Sequence, residues 1–235
     1  MKQGFIKAAA VVPKIRVADP VYNAQSICEQ LNAACEKGAK LIVFPELCLT
    51  GYTCGDLFLQ PLLLRRAAEQ LLRIAQATAD KDALVVVGLP VERQGRLYNV
   101  AAVLGGGSVL GMIPKANIPS YAEFYEGRHF AEGNLEPVTF DFLGREVPFG
   151  ANLLFSCVEM PELTVGCEIC EDLWVAQPPG TEHALHGATV LVNLSASNET
   201  VGKDAYRELL VKSASARLLC GYVYASAGEG ESTQD

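Results

Sequence analysis

The chain has 235 residues, of which half are hydrophobic, and its formal net charge is −8 at pH 7. This length supports one large core or two small ones, and the acidic balance argues against a nucleic-acid groove. No apolar run approaches the ~18 residues of a membrane span, and residues 1–7 lack the pattern of a secretion signal, so we expect a soluble cytoplasmic protein with a small-molecule substrate.

Strand-type and helix-type patterns alternate along the chain. The first part predicts a strand at 6–12, a helix at 19–38, a short buried strand at 41–44 and a long helix at 56–79. A meander of three strands follows at 83–92, 97–104 and 108–113, with glycine-rich turns between them. The second part predicts strands at 138–142, 153–158, 163–170, 189–194 and 221–225 and helices at 181–186 and 203–219.

The pattern as a whole predicts an α/β fold with mixed strand pairing. Residues 41–44 and 189–192 are apolar on both faces, so we expect helices to cover the sheets. Residues 114–133 form a long, aromatic-rich connection of the kind that often carries function. Residues 228–235 follow a predicted strand as a loop, and we therefore expect the chain to be truncated at its C-terminal end.

Three short segments each bring one reactive side chain to the end of a predicted strand. They supply a carboxylate from Glu46, an amine from Lys115 and a thiol from Cys170. A base that takes the proton of a thiol, together with a cation that stabilises an oxyanion, is what attack on an amide requires. The three segments together predict an amide-cleaving site.

Each of these residues also has a simpler interpretation. Cys170 could be a buried structural cysteine, or it could form a redox pair or half of a zinc site with Cys167. However, a redox CxxC motif opens a helix, whereas Cys167 lies inside a predicted strand. Glu46 could be a salt-bridged surface residue, but its apolar surroundings favour a desolvated general base. Lys115 could be structural or exposed, but its position between two prolines in an apolar stretch favours a role at the oxyanion and beside the thiol.

The segments around these residues resemble the signature segments of the carbon–nitrogen hydrolase (nitrilase) superfamily. That family uses a Glu-Lys-Cys triad on an α-β-β-α sandwich. The closer resemblance is to the glutaminase domain of glutamine-dependent NAD+ synthetases, and it extends from Ile6 to the last residue. It is carried by the segments 44–52, 114–115, 119–126, 169–174 and 193–198, and by Lys203.

The resemblance implies a role for each matched residue. Glu46 is the general base, Cys170 attacks the side-chain amide of L-glutamine, and Lys115 stabilises the oxyanion. Tyr121, Ser197 and Lys203 bind glutamine, through groups whose hydroxyl and ammonium chemistry suits that ligand. The simpler interpretation of Ser197 is a residue in the N-cap region of the following helix. Glu126 is a further candidate for a positioning carboxylate.

The resemblance also implies a second domain that this chain lacks. We expect ATP and magnesium to bind only in a C-terminal synthetase domain of the same polypeptide, to which ammonia is channelled. No cofactor or metal is expected in residues 1–235, because the glycine-rich residues 105–108 lie between two strands and are a hairpin turn instead of a nucleotide cradle. Family members form dimers or larger assemblies, so a homo-oligomer is expected. No nucleic-acid or membrane partner is expected.

Three functions remain open on the sequence. The first is glutamine hydrolysis that supplies ammonia for the ATP-dependent amidation of deamido-NAD to NAD+. The second is a stand-alone amidase with another substrate. The third is a catalytically silent scaffold, in which Cys170 would be unreactive.

Overall fold

Eleven strands and four helices make up the fold of the computed structural model, which describes residues 4–231. The strands are β1 (Ala8–Ala10), β2 (Leu41–Val43), β3 (Leu84–Arg93), β4 (Arg96–Gly105), β5 (Ser108–Pro114), β6 (Val138–Asp141), β7 (Glu146–Phe149), β8 (Leu154–Cys157), β9 (Met160–Ile169), β10 (Val190–Ser195) and β11 (Gly221–Ser226). The helices are α1 (Pro20–Glu36), α2 (Pro61–Gln76), α3 (Pro179–Leu185) and α4 (Lys203–Leu218). Short 3-10 segments occupy Tyr52–Leu59, Glu126–Arg128 and Cys170–Leu173.

The strands form two sheets. The first has seven strands in the order β1-β2-β3-β4-β5-β7-β6, and the second has four in the order β11-β10-β9-β8. β1, β2 and β3 pair in parallel, and β3, β4 and β5 form the antiparallel meander that the sequence predicts. β9, β10 and β11 are also parallel. Within each sheet, the strands that precede the reactive residues therefore run in the same direction.

The alternation of side chains along the strands builds a layered core. In β2, Leu41 and Val43 pack between the two sheets, whereas Ile42 faces α1 and α2. Because successive side chains of a strand point to opposite faces, a continuous apolar run serves both interfaces. α3 packs on β9 and α4 on β11, which gives the four layers of an α-β-β-α sandwich. The predicted fold class is confirmed.

Two of the departures from the sequence prediction have a clear physical reason. The long helix predicted at 56–79 is divided, because Gln60 has extended backbone angles and Pro61 occupies the first turn of α2. β7 was not predicted, because Pro148 lies between its two buried residues, Val147 and Phe149, and a proline within a short run argues against a strand. The glycine-rich stretch is a two-residue hairpin turn, as expected, with Gly106 and Gly107 at positive φ.

Two further observations concern the whole described part of the chain. Within residues 4–231, none of the helices combines the length and the apolar character needed to cross a lipid bilayer. The predicted C-terminal loop at 228–235 is described as far as Glu231, and residues 232–235 lie outside the described residues.

A glycine in β3 controls how the chain leaves β2. A Cβ atom added to Gly88 would lie 2.4 Å from the Leu47 nitrogen and 2.5 Å from the Pro45 oxygen. Both atoms belong to the backbone of the turn that carries Glu46, so neither can move without moving the turn. Gly88 therefore allows Glu46 to lie directly over the sheet.

We predict that Gly88→Ala destabilises the protein by about 1–3 kcal/mol, the usual cost of overpacking a core. Chemical denaturation in urea measures this difference. Gly221→Ala is the matched control, because its Cβ atom would meet nothing closer than Val190 Cγ2 at 3.6 Å, and its free energy of unfolding should change by much less. Equal stability of the two variants would contradict the role given to Gly88.

Candidate active site

A buried ammonium group lies at the centre of the candidate site. Lys115 follows β5, has no exposed surface, and donates from Nζ to Glu46 Oε1 at 2.7 Å and to Glu126 Oε1 at 2.7 Å. Burial lowers the pKa of Lys115, but the two carboxylates outweigh that effect and hold its pKa well above the ordinary value. Lys115 is therefore a fixed positive charge at neutral pH.

Three different elements hold the carboxylate of Glu46. Besides Lys115, Asn99 of β4 donates from Nδ2 to Glu46 Oε1 at 2.6 Å. The backbone N–H of Ala196, just after β10, donates to Glu46 Oε2 at 2.8 Å. Glu46 is fully buried, so both of its oxygens depend on these donors. The surface salt-bridge interpretation of Glu46 is wrong, and so is the exposed interpretation of Lys115.

Glu126 is the second carboxylate in the buried cluster formed by Glu46, Lys115 and Glu126. It lies in the long connection after β5, and its Oε1 also accepts a hydrogen bond from the Tyr52 hydroxyl at 2.9 Å. Burial raises the pKa of Glu126, the Lys115 ammonium opposes that rise, and Glu46 adds to it. Two buried carboxylates thus accept hydrogen bonds from one ammonium.

Cys170 directly follows β9 and turns sharply out of the strand. Its φ of +43° is rare for a non-glycine residue and costs of order 1–3 kcal/mol. Asn193 of β10 stabilises this backbone conformation: its Oδ1 accepts from the Cys170 N–H at 3.1 Å, and its Nδ2 donates to the Cys170 carbonyl at 3.5 Å. This turn is how a strand residue comes to face the site.

The Cys170 thiol is neutral in the free protein. Burial and the charge of Glu46 raise its pKa, and Lys115 lowers it, with a net value of about 12. Lys115 was expected beside the thiol, and its charge does lower the thiol pKa, but burial is the largest effect. Attack by this thiol therefore requires a base that removes its proton.

Asp172 ties the cysteine turn to the lysine segment. Its Oδ2 accepts from the Ile169 N–H at 2.9 Å. Its Oδ1 accepts from both the backbone N–H and the side-chain amide of Asn117, at 2.9 and 2.8 Å. Since Asn117 lies two residues after Lys115, the Asp172 carboxylate fixes the distance between the two strand ends.

A pocket of about 250 Å³ opens beside Cys170. Tyr121, Ser197 and Lys203, the three residues predicted to bind a substrate, all line it. The structure thus brings them together with the thiol. The remaining lining residues are acidic or aromatic, namely Glu123, Phe124, Glu171 and Trp174.

Each of the three predicted residues has a defined environment. The Tyr121 hydroxyl donates toward the Glu171 carboxylate at 3.0 Å. Lys203 Nζ lies 5.4 Å from the centre of the Phe124 ring and 5.3 Å from that of Trp174, within the range of cation–π attraction. Ser197 lies outside the N-terminus of α4, whose N-cap is Gly202, so the N-cap interpretation is wrong.

Two site residues carry a weaker signal in the sequence. Asn99 was not expected at the site, and Asn193 was noted only as part of a matched segment. Each is a polar amide inside an apolar strand, and a buried amide needs hydrogen-bond partners.

Cys167 packs between the sheets, and all eight cysteines are free thiols. Across residues 4–231, no three His, Cys, Asp or Glu side chains cluster as metal ligands would.

Comparisons with known proteins agree on the ancestry of the chain. The carbon-nitrogen hydrolase family model matches residues 7–230. The glutamine-dependent NAD(+) synthetase of Mycobacterium tuberculosis (strain ATCC 25618 / H37Rv) is 46% identical over 234 residues, which cover 100% of this chain and 34% of that protein. That of Aquifex aeolicus (strain VF5) is 34% identical over 92% of this chain and 34% of the relative. The chain thus spans about a third of the length of the curated relatives it matches.

Solved structures give the same result for the fold. A glutamine-dependent NAD(+) synthetase from Cytophaga hutchinsonii is similar with a TM-score of 0.85 and 31% identity, over 95% of this chain and 36% of that one. An amidase from Nesterenkonia sp. has a TM-score of 0.74 at 20% identity, over 98% and 80% of the two chains, and it bears on the fold alone. Since the family model matches nearly every residue, the chain belongs to the carbon-nitrogen hydrolase family.

Proposed function

We propose that this chain hydrolyses the side-chain amide of L-glutamine through a cysteine thioester. The ammonia released serves the ATP-dependent amidation of deamido-NAD to NAD+ in a synthetase domain of the same polypeptide. The names of the relatives that match the whole chain support this substrate and this pathway.

The observation that carries the proposal is the pocket beside Cys170. It contains the thiol together with the two hydroxyls and the ammonium of Tyr121, Ser197 and Lys203. An ammonium can pair with the α-carboxylate of an amino acid, and hydroxyls can hold its polar groups. A volume of about 250 Å³ suits a small ligand, and the acidic side chain of Glu171 offers a partner for a positive group.

The first half of the reaction is acylation of Cys170. Glu46 takes the thiol proton as the sulfur attacks the amide carbon, and the carbonyl oxygen becomes an oxyanion. The Lys115 ammonium and a backbone N–H near Cys170 stabilise that charge. The carbon–nitrogen bond then breaks, the proton passes from Glu46 to the leaving nitrogen, and ammonia departs from the thioester.

The second half is hydrolysis of the thioester. Glu46, again a carboxylate, removes a proton from a water molecule that attacks the acyl carbon. The tetrahedral intermediate collapses, the sulfur recovers a proton, and glutamate is released. Glu126 does not exchange a proton in this scheme. Its carboxylate accepts a hydrogen bond from Lys115 Nζ and so holds the ammonium in place.

The proposal extends to the rest of the polypeptide. Residues 1–235 belong to the glutaminase domain, while ATP and magnesium bind to the synthetase domain. We also propose a cytoplasmic homo-oligomer. The exposed side chains of Tyr206 and Leu209 on α4 are compatible with contacts between copies.

We predict that an electrophilic analogue of glutamine labels Cys170 selectively, because Cys170 alone among the eight cysteines lies in the glutamine pocket beside a base. Intact mass and peptide mapping measure the label, and excess glutamine should protect against it. The experiment uses the 235-residue chain and the full gene product in parallel. Cys170→Ser should lose the label, and the remote Cys157→Ser variant should keep it.

The outcomes separate the three candidate functions. Protected labelling of Cys170 together with glutamine hydrolysis supports the glutaminase. Labelling that glutamine does not prevent favours an amidase with another substrate. A folded full-length protein whose Cys170 does not react would overturn the proposal and favour a silent scaffold.

We predict opposite effects of Glu46→Gln on two reactions of the same thiol. Glutamine hydrolysis should fall about 10²–10⁴-fold, because the general base is lost. Alkylation of Cys170 by iodoacetamide should shift to lower pH, because the charge of Glu46 raises the thiol pKa and its removal lowers that pKa. A steady-state assay and the pH dependence of alkylation measure the two changes.

Glu92→Gln is the matched control for this substitution. Glu92 is exposed on β3, so both reactions should remain as in the unaltered protein. Hydrolysis that persists at the original rate in Glu46→Gln would remove Glu46 from the role of base.

A further inference from the structure

A carboxylate near the C-terminal end of the described chain binds the backbone of a segment next to the site. Glu231 Oε1 accepts from the Tyr52 N–H at 2.6 Å, and its Oε2 accepts from the Thr53 N–H at 3.3 Å and the Thr53 hydroxyl at 3.0 Å. These residues are 179 and 178 positions apart in the sequence. Glu231 follows β11 in the second sheet, and Tyr52 follows β2 in the first, so the contact joins the two sheets.

The segment that carries Glu231 packs closely against the backbone of Ile15. The Ile15 N–H donates to the Glu229 carbonyl at 3.1 Å. Gly230 has a φ of +103°, and a Cβ atom there would lie 2.0 Å from the Ile15 oxygen. Only glycine fits this combination of backbone angle and close approach. These contacts fix the backbone of residues 229–230 and thereby the position of the Glu231 side chain.

The other end of the link is in the catalytic cluster. The Tyr52 hydroxyl donates to Glu126 Oε1 at 2.9 Å, and Glu126 Oε1 accepts from Lys115 Nζ at 2.7 Å. Burial raises the pKa of Tyr52, and Glu126 raises it further, so the phenol stays a hydrogen-bond donor at neutral pH. A displacement of the Tyr52 backbone would move this phenol and remove one of the donors that hold Glu126.

We propose that Glu231 is a positioning residue for the amide-cleaving site. Its carboxylate fixes the backbone of Tyr52 and Thr53, and through the Tyr52 phenol it holds Glu126 against the Lys115 ammonium. The inference rests on the proposed function, since it assigns Lys115 to the oxyanion. The segment after β11 would thus affect the reaction rate, although it lines no part of the pocket beside Cys170.

A double-substitution cycle tests whether Glu231 acts through the Tyr52 phenol. Glu231→Gln keeps the side-chain volume but replaces one acceptor oxygen with a donor, which faces an N–H unfavourably. Tyr52→Phe removes the hydroxyl alone. Each single variant should lower kcat about tenfold, and the double variant should also lower it about tenfold instead of a hundredfold. The KM for glutamine should stay within about twofold, because neither residue lines that pocket.

The rates are expressed per molecule of the full gene product in which Cys170 can be labelled, so unfolded protein does not contribute. Glu229→Gln is the matched control. Glu229 is the neighbouring acidic residue, but its side chain is 71% exposed and pairs with Lys14, so this variant should keep full activity. Glu231→Asp retains the charge with a shorter side chain and should recover part of the loss.

Two results would overturn the proposal. One is a Glu231→Gln variant as active as Glu229→Gln. The other is an additive, hundredfold loss in the double variant, which would mean that Glu231 acts independently of Tyr52.

A failure of the proposed function is distinguishable from either result. If the unaltered protein does not hydrolyse glutamine, the same cycle is measured on the rate of Cys170 alkylation by iodoacetamide. A non-additive cycle there supports the positioning role without the glutaminase. An additive cycle, or no effect of Glu231→Gln, rejects the positioning role.

Discussion

The site depends on the charged ammonium group of Lys115, which has no solvent-exposed surface. Burial of Lys115 opposes its charge, and the carboxylates of Glu46 and Glu126 restore it. Removing one partner of such a buried group typically costs about 3–5 kcal/mol, because an uncompensated charge remains. Asn99 donates to the same Glu46 oxygen as Lys115, and the Ala196 N–H donates to the other Glu46 oxygen, which Lys115 leaves open. The site therefore requires buried hydrogen-bond donors from several parts of the fold around the two carboxylates.

The sandwich meets that condition by bringing strand ends from both sheets to one place. Glu46, Asn99 and Lys115 come from the first sheet, whereas Cys170 and the Ala196 N–H come from the second. Parallel neighbours align their carboxyl ends, so a residue just past each strand needs only a short turn to enter the site. Gly88 makes room for one of these turns, and Asn193 holds the unusual backbone of Cys170.

Burial also sets the chemistry of the thiol. A pKa of about 12 keeps Cys170 protonated at rest, so the proton must leave during attack. A carboxylate beside the thiol can accept it, and the nearby ammonium stabilises the charge that then develops on oxygen. In the proposed reaction, the neutral resting thiol is also less open to oxidation than a thiolate would be.

The sequence by itself predicted an α/β fold, most of the strands and the three candidate reactive residues, because apolar runs ending in Pro-Glu, Pro-Lys and Cys-Glu-Asp are visible locally. The α-β-β-α layer order came from the resemblance to a family. Through the resemblance the sequence also predicted Tyr121, Ser197 and Lys203 as binding residues, and the structure places them in the pocket beside Cys170. The sequence left Glu126 as a minor candidate, missed Asn99, and misplaced the start of α2. Only the tertiary structure decided these points, because the hydrogen-bond partners of a buried amide such as Asn99 are distant in the sequence. The link from Glu231 to Tyr52 is the clearest case, because 179 residues separate its ends and no local pattern records it.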